Sequence, residues 1–220
     1  MLEKWLHKKK KHYPSFYLEY LDLFKKKKRG RIQSTRFVAF DTETTGFNFD
    51  KDRVLSIGAV SFIGKSIHVN NSLELYIKQD IFNPETVKIH GLIKHGALNK
   101  VNELEAIKIF LSYIKNDVLI AHHANFDRTM MNKMMQRNGL GKLKNKFIDT
   151  GVLFKKSKHI IYQENLKHHS LDDLCKELNV PKVDRHTATG DALITAMVFL
   201  KTISRLDKRK NLKWNYLLSS

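Results

Sequence analysis

The sequence predicts an α/β fold, a mixed sheet flanked by helices, and three observations predict it. Short apolar, β-prone runs come first as a meander and then alternate with segments of helical periodicity. The 220 residues are 42% hydrophobic, enough to fill the core of one ordinary domain. The charge is uneven. Residues 1–36 hold 12 Lys/Arg against 3 Asp/Glu, and residues 37–220 hold 28 against 19, so each part carries +9. This division predicts a basic helical N-terminal extension over residues 1–35, a domain over 36–206, and a short basic tail over 207–220.

The elements follow in order. In the leader, Ser15 after Pro14 is the expected helix N-cap. Phe16, Tyr20, Leu23 and Phe24 recur at helical spacing, and Gly30 is the expected stop. Residues 37–40 are short, apolar and β-prone. Residues 54–63 and 67–77 read as two further strands joined by a Gly64-Lys65 turn. After Pro84 the pattern becomes helical, most clearly over 103–115. Residues 118–121 form a buried-type strand, residues 125–137 a methionine-rich helix, and Phe147-Ile148 a short strand ending at Asp149-Thr150. Helices are expected over 170–178 and 191–206.

A net charge of +18 favours a polyanionic partner, nucleic acid before an anionic membrane surface. Cys175 is the only cysteine, which excludes an internal disulfide framework and fits a reducing cytoplasm. Its place on a helix face gives it the role of a small apolar residue, not a nucleophile. No apolar run approaches the ~20 residues of a membrane span. The N-terminal lysines are not followed by an apolar signal core, so the expected location is cytoplasmic.

Three stretches carry the chemistry. Asp41 and Glu43 close the first strand; two apart, they share a face. Two neighbouring acids repel, and without a cation one would stay protonated. A divalent metal between them resolves the repulsion. Thr44-Thr45-Gly46 follows as a turn whose backbone can approach a ligand. Asp127 and Asp191 each lie at a helix start, where an acid is favoured by the helix dipole alone. His186, in a loop of small residues before Asp191, is placed to take a proton from an attacking water.

The combined pattern resembles the DEDDh-type 3′–5′ exonucleases, the family of the proofreading epsilon subunit of bacterial DNA polymerase III. Phe40 through Gly46 is similar to the family's F-D-T-E-T-T-G. Ala121-His122-His123-Ala124-Asn125-Phe126-Asp127 resembles a strand end followed by H-N-A-x-F-D, departing at His123, where the family often has Asn. His186-Thr187-Ala188-Thr189-Gly190-Asp191-Ala192 is similar to H-x-A-x-x-D-A. Pro84-Glu85 through His90-Gly91 resembles P-E-x-x-x-x-H-G, and Ser170 to Cys175 resembles the H-S-L-D-x-L-C helix. The resemblance covers residues 36–206.

The resemblance implies a ribonuclease H-like fold with a five-stranded mixed sheet. It implies that Asp41, Glu43, Asp127 and Asp191 hold two divalent ions, Mg²⁺ or Mn²⁺, and that His186 is the general base. Thr42, Thr44, Glu85, His90 and Asn125 would contact substrate, and the product would be a nucleoside 5′-monophosphate. The Asp-Thr-Glu-Thr-Thr-Gly form is similar to the polymerase-associated branch, which implies single-stranded or 3′-ended DNA as substrate. Oligoribonuclease and ribonuclease T, of the same superfamily, imply RNA instead. A non-catalytic nucleic-acid-binding module would have lost part of the five-residue set, and here all five are present. Tyr20-Leu21-Asp22-Leu23-Phe24 faintly resembles the Q-L-x-L-F peptide that docks on bacterial sliding clamps but lacks the Gln; packing on the domain explains its spacing equally. The lysine runs at 8–11 and 25–28 could hold phosphates. The tail after Leu206 is smaller than the polymerase-binding tail of an epsilon subunit, which points to a stand-alone or repair exonuclease.

Overall fold

The computed structural model describes residues 12–25, 30–81, 83–86, 91, 99–158, 169–207 and 212–218. Helix α1 (Ser15–Asp22) and a 3₁₀ turn (Ile32–Ser34) precede the strands β1 (Arg36–Thr44), β2 (Val54–Ile63), β3 (Ser66–Ile77) and β4 (Lys100–Val101). Then follow α2 (Glu103–Ile114), β5 (Val118–Ala121), α3 (Ala124–Arg137), β6 (Phe147–Asp149), α4 (Thr150–Ser157), α5 (Leu171–Leu178), α6 (Ala188–Leu206) and α7 (Trp214–Leu218).

The strands form one mixed sheet in the order β4-β3-β2-β1-β5-β6. The meander β1-β2-β3 is antiparallel, and β5 and β6 add in parallel beyond β1. Five strands were expected. The sixth is β4, a two-residue edge strand parallel to the end of β3, too short to show a pattern in the sequence.

Strand β1 is central and carries both cores. Its side chains alternate between faces. Phe37 and Ala39 share a core with Ala192, Ala196 and Phe199 of α6. Val38 and Phe40 share the opposite core with Phe110 of α2 and Met130, Met131 and Met134 of α3. The strand runs on to Thr44, so Asp41 and Glu43 continue the α6 face and Thr42 continues the α3 face.

Helix α1 packs on the domain through the expected Phe16, Tyr20 and Phe24, with Tyr17 added to that face and Leu23 left off it. Tyr17 and Tyr20 are buried, whereas Leu23 is 39% exposed. The Tyr20 hydroxyl donates to Asn145 Oδ1 at 2.6 Å and accepts from the Lys144 amide at 2.8 Å. Tyrosine presents an apolar body with a polar tip, so a tyrosine stripe can be buried once partners exist for the hydroxyls. Pro14, not Ser15, is the N-cap, and the helix ends at Leu23, well short of Gly30. The lysine run at 8–11 and residues 26–28 lie outside the described residues. Among the described residues, no helix is long and apolar enough to cross a membrane.

Candidate active site

The end of β1 places Asp41 and Glu43 side by side on the α6 face. Asp191 comes to them because α6 starts at Ala188, three residues earlier than expected, and puts Asp191 in its first turn. Thr187 caps this helix by accepting from the Gly190 amide at 3.0 Å. Gly58 of β2 lies opposite Asp41. A Cβ there would collide with the backbone of Ala188 and Thr189. The missing side chain is therefore what lets α6 seat against the sheet beside the acids. Asp41, Glu43 and Asp191 each offer a carboxylate oxygen within 4.8 Å of the others, the cluster of potential metal ligands among the described residues.

Asp127 arrives from the opposite face. Its Oδ1 accepts from the Thr42 amide at 3.0 Å and from Thr42 Oγ1 at 2.7 Å. Thr42 is thus a clamp on an acid, a role that leaves its hydroxyl committed within the protein. Asp127 does not serve its own helix as a cap: the N-cap of α3 is His123, which makes no side-chain capping bond. His123 has φ 57, in the left-handed region where Asn, Asp and His are the favoured non-glycine residues. The departure from Asn at this position therefore keeps the required backbone.

One cleft of about 510 Å³ is lined by Asp41, Glu43, Asp127, Asp191, Thr42 and His186, together with Phe47, His122, His123, Phe126, Ser170, Leu171 and Arg185. His186 is exposed and has φ 66, so the loop presents its imidazole from a left-handed residue. Thr44 and Asn125 do not line the cleft. The Thr44 hydroxyl donates to the Gly46 carbonyl at 2.8 Å, and Asn125 is exposed. Glu85 is exposed in a segment tied to the site through Asn83, whose side-chain amide donates to the Thr45 carbonyl at 2.9 Å. His90 lies outside the described residues. The space beside Gly46 is filled by the Asp52 carboxylate, so this glycine makes room for the protein's own side chain and not for a ligand.

The electrostatics are those of a site that wants cations. Burial, then the charges of Asp127, Glu43 and Asp191, holds the Asp41 carboxyl well above the ordinary range. Burial, then Asp191 and Asp127, pushes Glu43 up to about 7. Burial pushes Asp127 up to about 7 despite the two bonds from Thr42. Burial also raises Asp191, against the pull of Arg185. Asp191 Oδ1 is buried without a hydrogen-bond partner. Such an oxygen is costly unless something binds it. Clustered hard oxygen donors with a spare lone pair fit Mg²⁺ or Mn²⁺.

Sequence reasoning missed Arg185. Its Nη1 donates to Asp191 Oδ2 at 2.5 Å and its Nε to Asp172 Oδ1 at 3.0 Å. The loop that makes these reaches possible has Asp184 at φ 50 and His186 at φ 66, neither announced by a glycine. Cys175 is buried, and burial pushes its thiol up, consistent with a packing role.

Comparison with known proteins adds to this geometry. The exonuclease family model RNase_T matches residues 38–199, a span that contains all four acids and His186. DNA polymerase III subunit epsilon of Treponema pallidum is 30% identical over 174 residues, covering 79% of this chain and 79% of that protein. A PolC-type DNA polymerase III of Caldanaerobacter subterraneus is 32% identical over 173 residues, 78% of this chain. The chain spans 12% of the length of that PolC-type relative. Among solved structures, E. coli exonuclease I in complex with a dT13 oligonucleotide superposes with a TM-score of 0.65 at 18% identity, covering 80% of this chain and 42% of that one. At that identity the likeness shows the fold.

Proposed function

The chain belongs to the RNase_T exonuclease family, and from that premise we propose that it is a metal-dependent 3′–5′ exonuclease that releases nucleoside 5′-monophosphates from DNA. The observation that carries this reading is the buried acid cluster of Asp41, Glu43 and Asp191, with an orphaned Asp191 oxygen and Asp127 alongside. Two Mg²⁺ or Mn²⁺ ions held by these acids would neutralise the phosphate and make an attacking water acidic. His186, exposed at the cleft, takes the proton from that water as general base. Phe47 is 80% exposed at the cleft and lies tilted against Phe126, ring centroids 5.8 Å apart. It offers a stacking face to a terminal base. Glu85 and His90 contact the terminal nucleotide.

DNA is favoured over RNA because relatives at 32% and 30% identity belong to DNA polymerases. The same relatives support a polymerase as partner and a cytoplasmic location. A sliding clamp would not find the α1 segment free, since Tyr20 is buried and Phe24 is packed against the core.

The test is digestion of matched 5′-labelled single-stranded DNA and RNA oligonucleotides with Mg²⁺, Mn²⁺ or EDTA. A metal-dependent ladder shortening from the 3′ end, faster on DNA, is the expected result. A faster RNA ladder would move the substrate to RNA, and binding without cleavage under either metal would sink the enzymatic reading. His186→Asn, which tolerates the left-handed backbone, is the variant for the base. It should cost on the order of 10²-fold in rate while leaving metal affinity intact.

A further inference from the structure

The α6 side of the site already contains a cation. Arg185 is held between two acids on two helices: Asp191 of α6 and Asp172 in the first turn of α5. Lys182 approaches the same Asp172 oxygen at 3.5 Å. The Arg185 side chain is 21% exposed and that of Asp191 8%. Only a planar fork can bridge two carboxylates in this way; a lysine offers one point charge. The two oxygens of Asp191 are thereby divided. Oδ2 accepts from Arg185, whereas Oδ1 is buried with no hydrogen bond.

We propose that Arg185 is a positioning residue for the cation site: it pins Asp191 by one oxygen, leaves the other to the ions, and adds a fixed positive charge that stays when the site is loaded. This rests on the metal-dependent reading above. Four ionised carboxylates and two divalent ions sum to zero, and Arg185 adds a positive charge to that set. That surplus attracts a phosphodiester and favours the negative charge that builds up during hydrolysis. The same charge repels incoming ions. Arg185 therefore weakens ion binding and strengthens turnover, two effects of opposite sign. A residue that merely held the loop in shape would change both in the same direction.

The experiment uses the full chain, with Mn²⁺ titrated by calorimetry and initial rates on a labelled oligo-dT at saturating Mn²⁺. Arg185→Gln should bind Mn²⁺ roughly tenfold tighter, the effect of about 1.4 kcal/mol of lost repulsion. Its metal-free form should melt lower, and its rate at saturation should fall at least about tenfold, mostly in kcat. Arg185→Lys keeps the charge without the fork, so its affinity should stay near wild type with only part of the rate. Weaker Mn²⁺ binding by Arg185→Gln, or an unchanged rate at saturation, overturns the proposal. Should that variant not fold, Arg185→Lys, which keeps the charge, decides alone. A lower rate with unchanged affinity supports the proposal, and unchanged rate overturns it. A wild-type chain that neither binds Mn²⁺ nor cleaves overturns the metal-dependent reading as well, an outcome distinct from failure of the Arg185 variants alone.

Discussion

The two faces of β1 assemble their acids by different physics. On the α6 face, Asp41, Glu43 and Asp191 gather against their mutual repulsion, and the counter-charge comes from Arg185. On the α3 face, Asp127 is held by an amide and a hydroxyl of one residue, Thr42. The first arrangement is repulsive and incomplete without cations. The second is satisfied by the protein itself. The strand's alternation produces this difference, because residues 41 and 43 must face one way and residue 42 the other. The site lies at the strand end, where both faces are within reach of one cleft.

The largest effect should come from emptying the repulsive face. Asp191→Asn keeps shape and hydrogen-bonding capacity but removes the charge. Cleavage of a 5′-labelled oligonucleotide should fall by on the order of 10³-fold or more, with an unchanged circular dichroism spectrum. Activity within tenfold of wild type would end the assignment of Asp191. Asp41→Asn should behave alike.

A second variant moves the same face without touching a charge. Gly58→Ala sets a methyl group against the backbone of Ala188 and Thr189. Overpacking of this kind costs about 1–3 kcal/mol, which corresponds to roughly 2–4 °C in Tm per kcal/mol for a chain of this size. Because the displaced segment leads into Asp191, activity measured well below the Tm should fall too. A lowered Tm with full activity would show that α6 gives way without moving its acid.

How much of this was legible in the sequence follows the same division. The alternation of β1, the apolar runs of β5 and the periodicity of α2 and α3 depend on local side-chain character, and those elements stand where the pattern put them, within a residue or a few. Asp41 and Glu43 are neighbours by strand geometry alone, so their pairing was readable. The partner of Thr42 was not, because it depends on how α3 docks. Helix α4 had no place in the expected elements, its eight residues being too few for a clear helical period. Its start is fixed by Asp149, whose Oδ1 accepts from the amides of Gly151 and Val152. Arg185 was invisible because its partners are reached only through left-handed residues at 184 and 186, which the sequence marks with Asp and His and not with Gly. Tyr17 was missed on the packed face of α1 because tyrosines count as polar or apolar according to whether their hydroxyls find partners, and the Lys142 carbonyl supplies that partner from a distant segment.

The pH dependence separates the faces from the rest of the protein. Glu43 and Asp127 titrate at about 7 in the folded chain, against 4.5 and 3.8 as ordinary side chains. Below about pH 4 they are largely protonated whether folded or not, so their contribution is fully present. As pH rises toward about 7, the unfolded chain ionises first and the native state loses stability. His122 runs the other way: burial, then His123, lowers it from 6.5 to about 4, so its contribution is present above 6.5 and lost as pH falls. Metal-free melting temperatures mix these opposing trends. The increment on adding Mg²⁺ or Mn²⁺ isolates the acids, since ions must displace their protons. That increment should grow from pH 5.5 to pH 8. A flat increment would mean that the ions bind elsewhere.

The smallest effect should come from the self-satisfied face. Thr42→Val removes the hydroxyl bond to Asp127 Oδ1 but keeps the shape and the amide bond. One hydrogen bond to a charged group contributes about 1.5–3 kcal/mol, and the retained amide holds the acid near its place. Losing a donor that favours the ionised form should raise Asp127 further, because burial then acts with less opposition. Activity should therefore fall modestly, by about tenfold at pH 7, and recover as pH is raised toward 9, where Asp127 ionises in the variant as well. The pH–rate profile is the readout, its lower limb shifted to higher pH relative to wild type. A uniform loss at every pH would mean that Thr42 acts by contacting substrate, and the hydrogen-bonded face of β1 would then be part of the binding surface instead of a support for its acid.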